Sequence, residues 1–74
     1  MNAEFMCSLL RAQPFMPFRI FMSHGDTYVV KHPENAFLAG SRLIVYYPET
    51  DNVGFCSLLH INDVKMGEFA EINK

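Results

Sequence analysis

The sequence predicts a small, mainly β domain that begins with one α-helix. Apolar residues near the N-terminus recur at helical spacing, whereas the rest of the chain consists of alternating and β-branched runs separated by Gly, Pro, Asn and Asp. Its 74 residues leave room for one domain, because single domains usually contain about 100–150 residues and small ones approach their stability limit near this size. We therefore expect residues 1–74 to form a single domain.

A short amphipathic helix is predicted over about residues 2–12. Its apolar side chains fall at the i, i+1, i+4 and i+5 positions that gather on one face of a helix: Phe5, Met6, Leu9 and Leu10. Glu4 near the start and Arg11 near the end suit the helix dipole. Because Pro14 disfavours helical geometry in the residue before it, the helix must end by Gln13.

A β-hairpin is predicted next, with strands at about residues 18–23 and 27–32 around a turn-like His-Gly pair. If that pair forms the centre of the turn, Ile20 faces Val29 across the hairpin. This register puts three side chains suited to binding on one face of the hairpin. The predicted binding face consists of Arg19, Tyr28 and His32.

Three further strands are predicted, at about residues 42–47, 53–61 and 64–70. The first two are rich in β-branched and aromatic residues, and the last is more polar. The connections between them, at 48–52 and 62–63, contain the Pro, Asn and Asp residues typical of turns. The predicted order is therefore one helix followed by five antiparallel strands.

This element order is that of small SH3-like and Sm-like barrels, in which a strongly bent five-stranded antiparallel sheet closes on itself and the helix can cap an open end. An open α+β two-layer sandwich, with the helix packed on one face of the sheet, would show the same alternation. The sequence leaves both architectures open.

The expected core combines apolar residues of the helix and strands with two phenylalanines of the connector between them: Phe5, Leu9, Phe15, Phe18, Ile20, Val29, Leu43, Val45, Phe55 and Leu59. Pro14 and Pro17 pre-set an extended connector, so that the rings of Phe15 and Phe18 can be buried between helix and sheet. In the alternative, Phe15 and Met16 stay exposed and form a docking patch.

A set of motifs spans most of the chain, from Leu9 to Ile61. It comprises Leu-Leu-Arg-Ala-Gln-Pro-Phe-Met-Pro-Phe-Arg-Ile at 9–20, Tyr-Val-Val-Lys-His-Pro-Glu at 28–34 and Leu-Leu-His-Ile at 58–61. In these motifs the chain resembles a group of short uncharacterised bacterial proteins with a helix, a Pro-Phe-x-Pro-Phe segment, a hairpin and a His-Pro-Glu. Their turn is usually Asp-Gly, whereas His24 occupies the Asp position here. The resemblance implies no assigned activity.

The residue spacings do not predict a catalytic or metal site. Cys7 and Cys56 are far apart and belong to no C-x-x-C pattern, and the four glycines are scattered singly rather than gathered in a phosphate loop. Strand pairing could bring His32, His60 and Glu34 together, but an isolated His at a strand end is more often hydrogen-bonded or exposed. We expect no enzyme activity and no cofactor, because 74 residues rarely build a pocket that excludes water. We also expect no disulfide, because nothing in the sequence indicates export.

The apolar runs, the N-terminal residues and the net charge predict where in the cell the protein lies and what it does not bind. The longest apolar runs are far shorter than the roughly 18 residues that span a bilayer, and the N-terminal Met-Asn-Ala-Glu lacks the basic start of a secretory signal. We therefore expect a cytoplasmic protein that does not contact membranes. A net charge of −2 and a pI of about 5.8 are unlike those of a protein that coats phosphates.

The main functional clue is the apolar half of the composition, since a chain this short buries only about 60% of the surface that its unfolded form exposes. The strand at 42–47 would invite aggregation if its edge were exposed, so it is either internal or paired with another chain. We expect a non-catalytic protein-interaction or oligomerisation module that binds itself or another protein. One alternative is a monomer covered by its helix. Another is an Sm-like domain that stacks single-stranded RNA on aromatic residues such as Tyr28.

Overall fold

The protein folds into one α-helix and six short β-strands in residues 1–67, the part of the chain that the computed structural model describes. The elements in chain order are α1 (Ala3–Arg11), β1 (Phe18–Met22), β2 (Thr27–Val30), β3 (Ala36–Ala39), β4 (Arg42–Tyr47), β5 (Asn52–Ser57) and β6 (Ile61–Met66). Short 3₁₀ turns at Pro33–Asn35 and Leu58–His60 precede β3 and β6. The mainly β class with an N-terminal helix is confirmed.

The helix agrees with the prediction to within one residue at each end. Asn2 caps its N-terminus, because the side-chain oxygen accepts a hydrogen bond from the Phe5 N–H at 2.8 Å. Met6 and Leu9 face the core, whereas Phe5 is 47% exposed. The ring of Phe15, in the connector after α1, is partly buried, and its centroid lies 6.0 Å from that of the buried Phe18 ring in β1, as the structural interpretation of the connector predicts. Met16 in the same connector is 47% exposed, as the alternative interpretation predicts for that residue.

The strands form two antiparallel sheets of three strands each, in the orders β2-β1-β6 and β3-β4-β5. This differs from the predicted single five-stranded sheet, and the hydrogen-bonded ladders of residues 1–67 do not close into one barrel. The chain passes from the first sheet to the second at Pro33–Asn35 and returns at Leu58–His60. Both crossings are 3₁₀ turns, which change the chain direction within three residues.

The predicted register of the first hairpin is wrong by one residue. Ile20 pairs with Tyr28 rather than Val29, because the turn contains three residues instead of two. The Gly25 N–H donates to the Met22 carbonyl, and Gly25 has a φ of 107°, a left-handed conformation that glycine adopts at little cost. A one-residue shift moves each side chain of one strand to the opposite face relative to the other strand.

Two later predictions also need correction. The predicted strand at 53–61 is divided, since β5 ends at Ser57 and β6 begins at Ile61. The last strand was predicted at 64–70 but starts three residues earlier, and positions 68–70 lie outside the described residues. Strand β3 was not predicted, because it is short and half alanine.

The core lies between the inner faces of the two sheets and the helix. Of the predicted core residues, Leu9, Phe18, Ile20, Leu43 and Val45 are buried, and Phe15 and Val29 are partly buried. Three predictions are wrong, since Phe5, Phe55 and Leu59 are 47%, 63% and 83% exposed. The core also contains seven residues that are not among the expected core residues: Met6, Met22, Val30, Ala36, Cys56, Leu58 and Ile61.

Candidate interaction surface

The three residues of the predicted binding face do not share a face. Arg19 lies on the outer side of β1, where its guanidinium donates to the Thr27 hydroxyl at 3.3 Å. Tyr28 pairs with the buried Ile20 and therefore points to the inner side of the sheet. His32 is exposed beyond the end of β2, where it precedes the 3₁₀ turn. The corrected hairpin register separates them.

Tyr28 packs between the two sheets instead of offering a stacking surface. Its ring lies directly over Gly54 of β5, where an added Cβ would be only 2.5 Å from the ring atom Cε1. Gly54 pairs with the buried Val45, so the ring occupies space that a side chain on β5 would fill. Burial raises the pKa of the Tyr28 hydroxyl, with smaller contributions from Cys56 and Asp26.

Tyr47 connects the sheets at the neighbouring edge. Its hydroxyl accepts a hydrogen bond from the Val29 N–H at 3.0 Å, which satisfies a backbone donor on the edge of β2 that faces away from β1. Burial is the largest cause of the raised pKa of Tyr47. Two of the tyrosines that could have stacked on a nucleic acid thus join one sheet to the other.

Several exposed apolar side chains lie together on the outer side of the β3-β4-β5 sheet. Phe37, Ile44 and Phe55 are direct cross-strand neighbours and form one row across all three strands. Tyr46 and Val53 are paired in the next row. We call this set the outer aromatic face, and its members are Phe37, Ile44, Tyr46, Val53 and Phe55.

The exposure of this face is large for such residue types. Phe37 is 59% exposed, Phe55 is 63% exposed and Val53 is 50% exposed. Buried Leu43 and Val45 alternate with the exposed or half-buried residues of β4, so β4 has one side in the core and one side in solvent. A contiguous apolar patch of this kind marks an interaction site more often than a scatter of single exposed residues does.

Charges of opposite sign lie at the two ends of the outer aromatic face. Arg42 is exposed at the beginning of β4, and within residues 1–67 it makes no salt bridge. At the other end, Asp51 accepts a hydrogen bond from the Tyr46 hydroxyl at 2.9 Å, which raises the pKa of Tyr46. Glu49 lies in the same loop. The face is therefore positive at one end and negative at the other.

Sequence reasoning found only part of this surface. It singled out the strand at 42–47 as a hazard at its edge, but β4 is the central strand of its sheet and both of its edges are paired. The part of β4 that does not pack against the core is its outer side. The signal that could have found it is alternation around Gly54, since Val53 and Phe55 flank a glycine that faces the core.

The described residues form no concave chemical site. No cavity is present in residues 1–67, and no three His, Cys, Asp or Glu side chains among them lie close enough to hold a metal ion. Cys7 and Cys56 are free thiols. Burial raises the pKa of Cys56 to about 11, so this thiol stays protonated and unreactive at neutral pH.

No helix within residues 1–67 is long and apolar enough to cross a membrane. Comparison of the chain with protein-family models, with curated proteins and with solved structures finds no significant match.

Proposed function

We propose that the chain is a non-catalytic protein-interaction module that associates with itself through the outer aromatic face. The observation that carries this proposal is the row of Phe37, Ile44 and Phe55, whose side chains lie on the solvent side of three adjacent strands. Packing this row against another apolar surface removes from water side chains that the core does not cover, and that burial favours association.

The composition of the face supports a protein partner. Aromatic residues and arginine are enriched at the centres of protein interfaces, and both residue types are present here as Phe37, Phe55, Tyr46 and the adjacent Arg42. The free thiols support the cytoplasmic setting that is part of this proposal, because disulfides are rare in that compartment.

Sedimentation velocity of the full chain tests the proposal. A concentration range of about 5–500 µM covers the dissociation constants expected of a small, weak interface. We expect the weight-average sedimentation coefficient of the wild type to rise with concentration. Phe55→Thr should suppress the rise, because it removes an exposed ring while keeping a residue that favours strands.

Met66→Thr is the matched control, since Met66 is 54% exposed on β6 in the other sheet. It should associate like the wild type. A wild type that stays monomeric across the range would overturn the proposal, and so would equal loss of association in both variants. Circular dichroism melting curves check that each variant is folded.

We also propose that the two sheets are the halves of an SH3-like or Sm-like barrel. Support comes from the helix before the strands, from the corner at Pro33–Asn35 between β2 and β3, and from the 3₁₀ turn at Leu58–His60 before β6. The bond from the Val29 N–H to the Tyr47 hydroxyl bridges the gap where the ladders stop. Slow amide exchange at Val29 would support a closed edge, and exchange as fast as in an open strand would oppose it.

Binding of single-stranded RNA is the second candidate, and one observation favours it. Phe37, Tyr46 and Phe55 expose three rings on one sheet face next to Arg42, and exposed aromatic residues on a sheet can stack bases. Asp51 and the net charge of −2 oppose it electrostatically. Fluorescence anisotropy with a labelled oligouridine at low salt would detect such binding, which Phe55→Thr should then abolish.

A further inference from the structure

We propose that the partner on the outer aromatic face is a second copy of this chain. The two copies are related by a two-fold axis that lies in the interface between their β3-β4-β5 sheets and runs perpendicular to the strands. In this dimer the two β4 strands are antiparallel, and Arg42 of each copy lies over Asp51 of the other. The inference rests on the proposed function, since it specifies how the same face is occupied.

The positions of the charges determine the direction of the axis. Arg42 and Tyr46 are four residues apart on β4, or about 13 Å at roughly 3.3 Å per residue. The hydrogen bond from Tyr46 places the Asp51 carboxylate at the far end of the same face. Between them lies the row that contains Ile44, about midway along this distance.

A rotation of 180° about an axis along that row exchanges the two ends of the face. It brings the positive end of one copy over the negative end of the other, twice per dimer, and it places Phe37 near its counterpart and Phe55 near its counterpart. Each Asp51 uses one oxygen, Oδ1, to accept from Tyr46, so Oδ2 can accept from an incoming guanidinium.

The other two-fold arrangement has its axis parallel to β4 and is disfavoured by the same charges. It would place Arg42 over its own counterpart and Asp51 over its own counterpart, with like charges meeting at both ends of the interface. Apolar contact alone does not distinguish the two arrangements, because the row of Phe37, Ile44 and Phe55 lies at the centre of both.

Charge reversal distinguishes the arrangements in full-length chains. Arg42→Asp alone and Asp51→Arg alone should each weaken self-association about five- to thirty-fold at low salt, because two attractive pairs at the rim become repulsive. The double variant should associate like the wild type, and so should an equimolar mixture of the two single variants. Added salt should reduce these differences.

Asp51→Asn is the second variant at this position, because Asp51 has a φ of 56° that Asn tolerates better than Arg does. Asp51→Asn should weaken association by a smaller factor than Asp51→Arg does, because it removes the attraction to Arg42 of the other copy without introducing repulsion. Sedimentation equilibrium gives each dissociation constant, and circular dichroism confirms folding.

Single variants that associate like the wild type would overturn this dimer, and if Phe55→Thr still abolished association, the proposed function would stand alone. A double variant as weak as the single ones would also overturn the dimer. A monomeric wild type would overturn both proposals. RNA binding by a monomeric wild type would assign the face to nucleic acid instead.

Discussion

At the scale of single residues, Tyr28 shows how one glycine allows two sheets to approach. Its ring lies over the backbone of Gly54, on the side of β5 that faces the core. Glycine in the interior of a strand usually weakens the strand. It often occurs where another group approaches the backbone closely. The contact explains why Tyr28 serves the fold rather than a binding face.

Gly54→Ala should therefore lower the free energy of unfolding by about 1–3 kcal/mol, since the new Cβ meets the Tyr28 ring at 2.5 Å. Without that contact, alanine would be the more stable residue in a strand. Urea denaturation of the wild type, Gly54→Ala, Tyr28→Ala and the double variant measures the coupling. If Gly54→Ala lowers the free energy of unfolding as much in the Tyr28→Ala variant as in the wild type, contact with the ring is not the cause of the loss.

The buried thiol of Cys56 makes a prediction about alkaline pH. Burial raises its pKa from 9.0 to about 11, so the folded state holds the proton more tightly than the unfolded state does. The stability linked to this group is present below pH 9 and is lost as pH rises from about 9 to about 11, at up to about 1.4 kcal/mol per pH unit. Cys56→Ala should lose the pH dependence that begins at pH 9, as measured by urea denaturation at a series of pH values. The tyrosine contributions, which begin near pH 10, should remain.

At the scale of elements, the two sheets are joined by few but specific contacts. The Ser23 N–H donates to the His60 carbonyl at 2.8 Å, and the Leu58 N–H donates to the Ser41 carbonyl at 2.9 Å. These bonds tie the 3₁₀ turn between β5 and β6 to the turns of two hairpins. The turn therefore directs the chain from one sheet to the other.

Tyr47→Phe should lower the free energy of unfolding by about 1–2 kcal/mol, because the part-buried Val29 N–H at the edge of β2 loses its acceptor. Tyr46→Phe is the matched control, since its hydroxyl bonds Asp51 in solvent and should cost less than about 0.5 kcal/mol. Thermal and urea denaturation compare the two. Equal losses would mean that the Tyr47 hydroxyl does not hold the sheets together.

Local sequence patterns predict the helix and the strands better than they predict which strands pair with each other. The helix was predictable because Met6 and Leu9 fall at helical spacing and a proline follows. The break at Leu58–His60 was not predictable, since residues 55–61 contain neither Gly nor Pro and the break is stabilised by hydrogen bonds to distant turns. The pairing of β1 with β6 is equally non-local.

The candidate surface was predictable only in part for the same reason. Phe55 was assigned to the core because a phenylalanine in an apolar strand is usually buried. Only the register with β4, which places Phe55 beside Ile44 and Cys56 beside Leu43, shows that Phe55 faces outward. The separation of Arg19 from Tyr28 followed from a turn of three residues rather than two.

At the scale of the whole molecule, the apolar side chains of residues 1–67 lie in the core, on the outer aromatic face and at separate exposed positions such as Leu59 and Met66. The β2-β1-β6 sheet carries Arg19, Asp63 and Lys65 on its strands, whereas the outer side of the β3-β4-β5 sheet carries the outer aromatic face. On the β3-β4-β5 sheet, Arg42 and Asp51 lie at the two ends of the outer aromatic face, and the side chains between them are uncharged. Association of the molecule is therefore expected at the outer aromatic face.

The most direct test of that claim is the concentration dependence of ¹H–¹⁵N NMR spectra of the full chain. From dilute to concentrated solution, the largest shift changes should occur at the amides of the outer aromatic face and of Arg42 and Asp51, with little change on α1 or β6. Shift changes centred on α1 or β6, or spectra that do not depend on concentration, would contradict it.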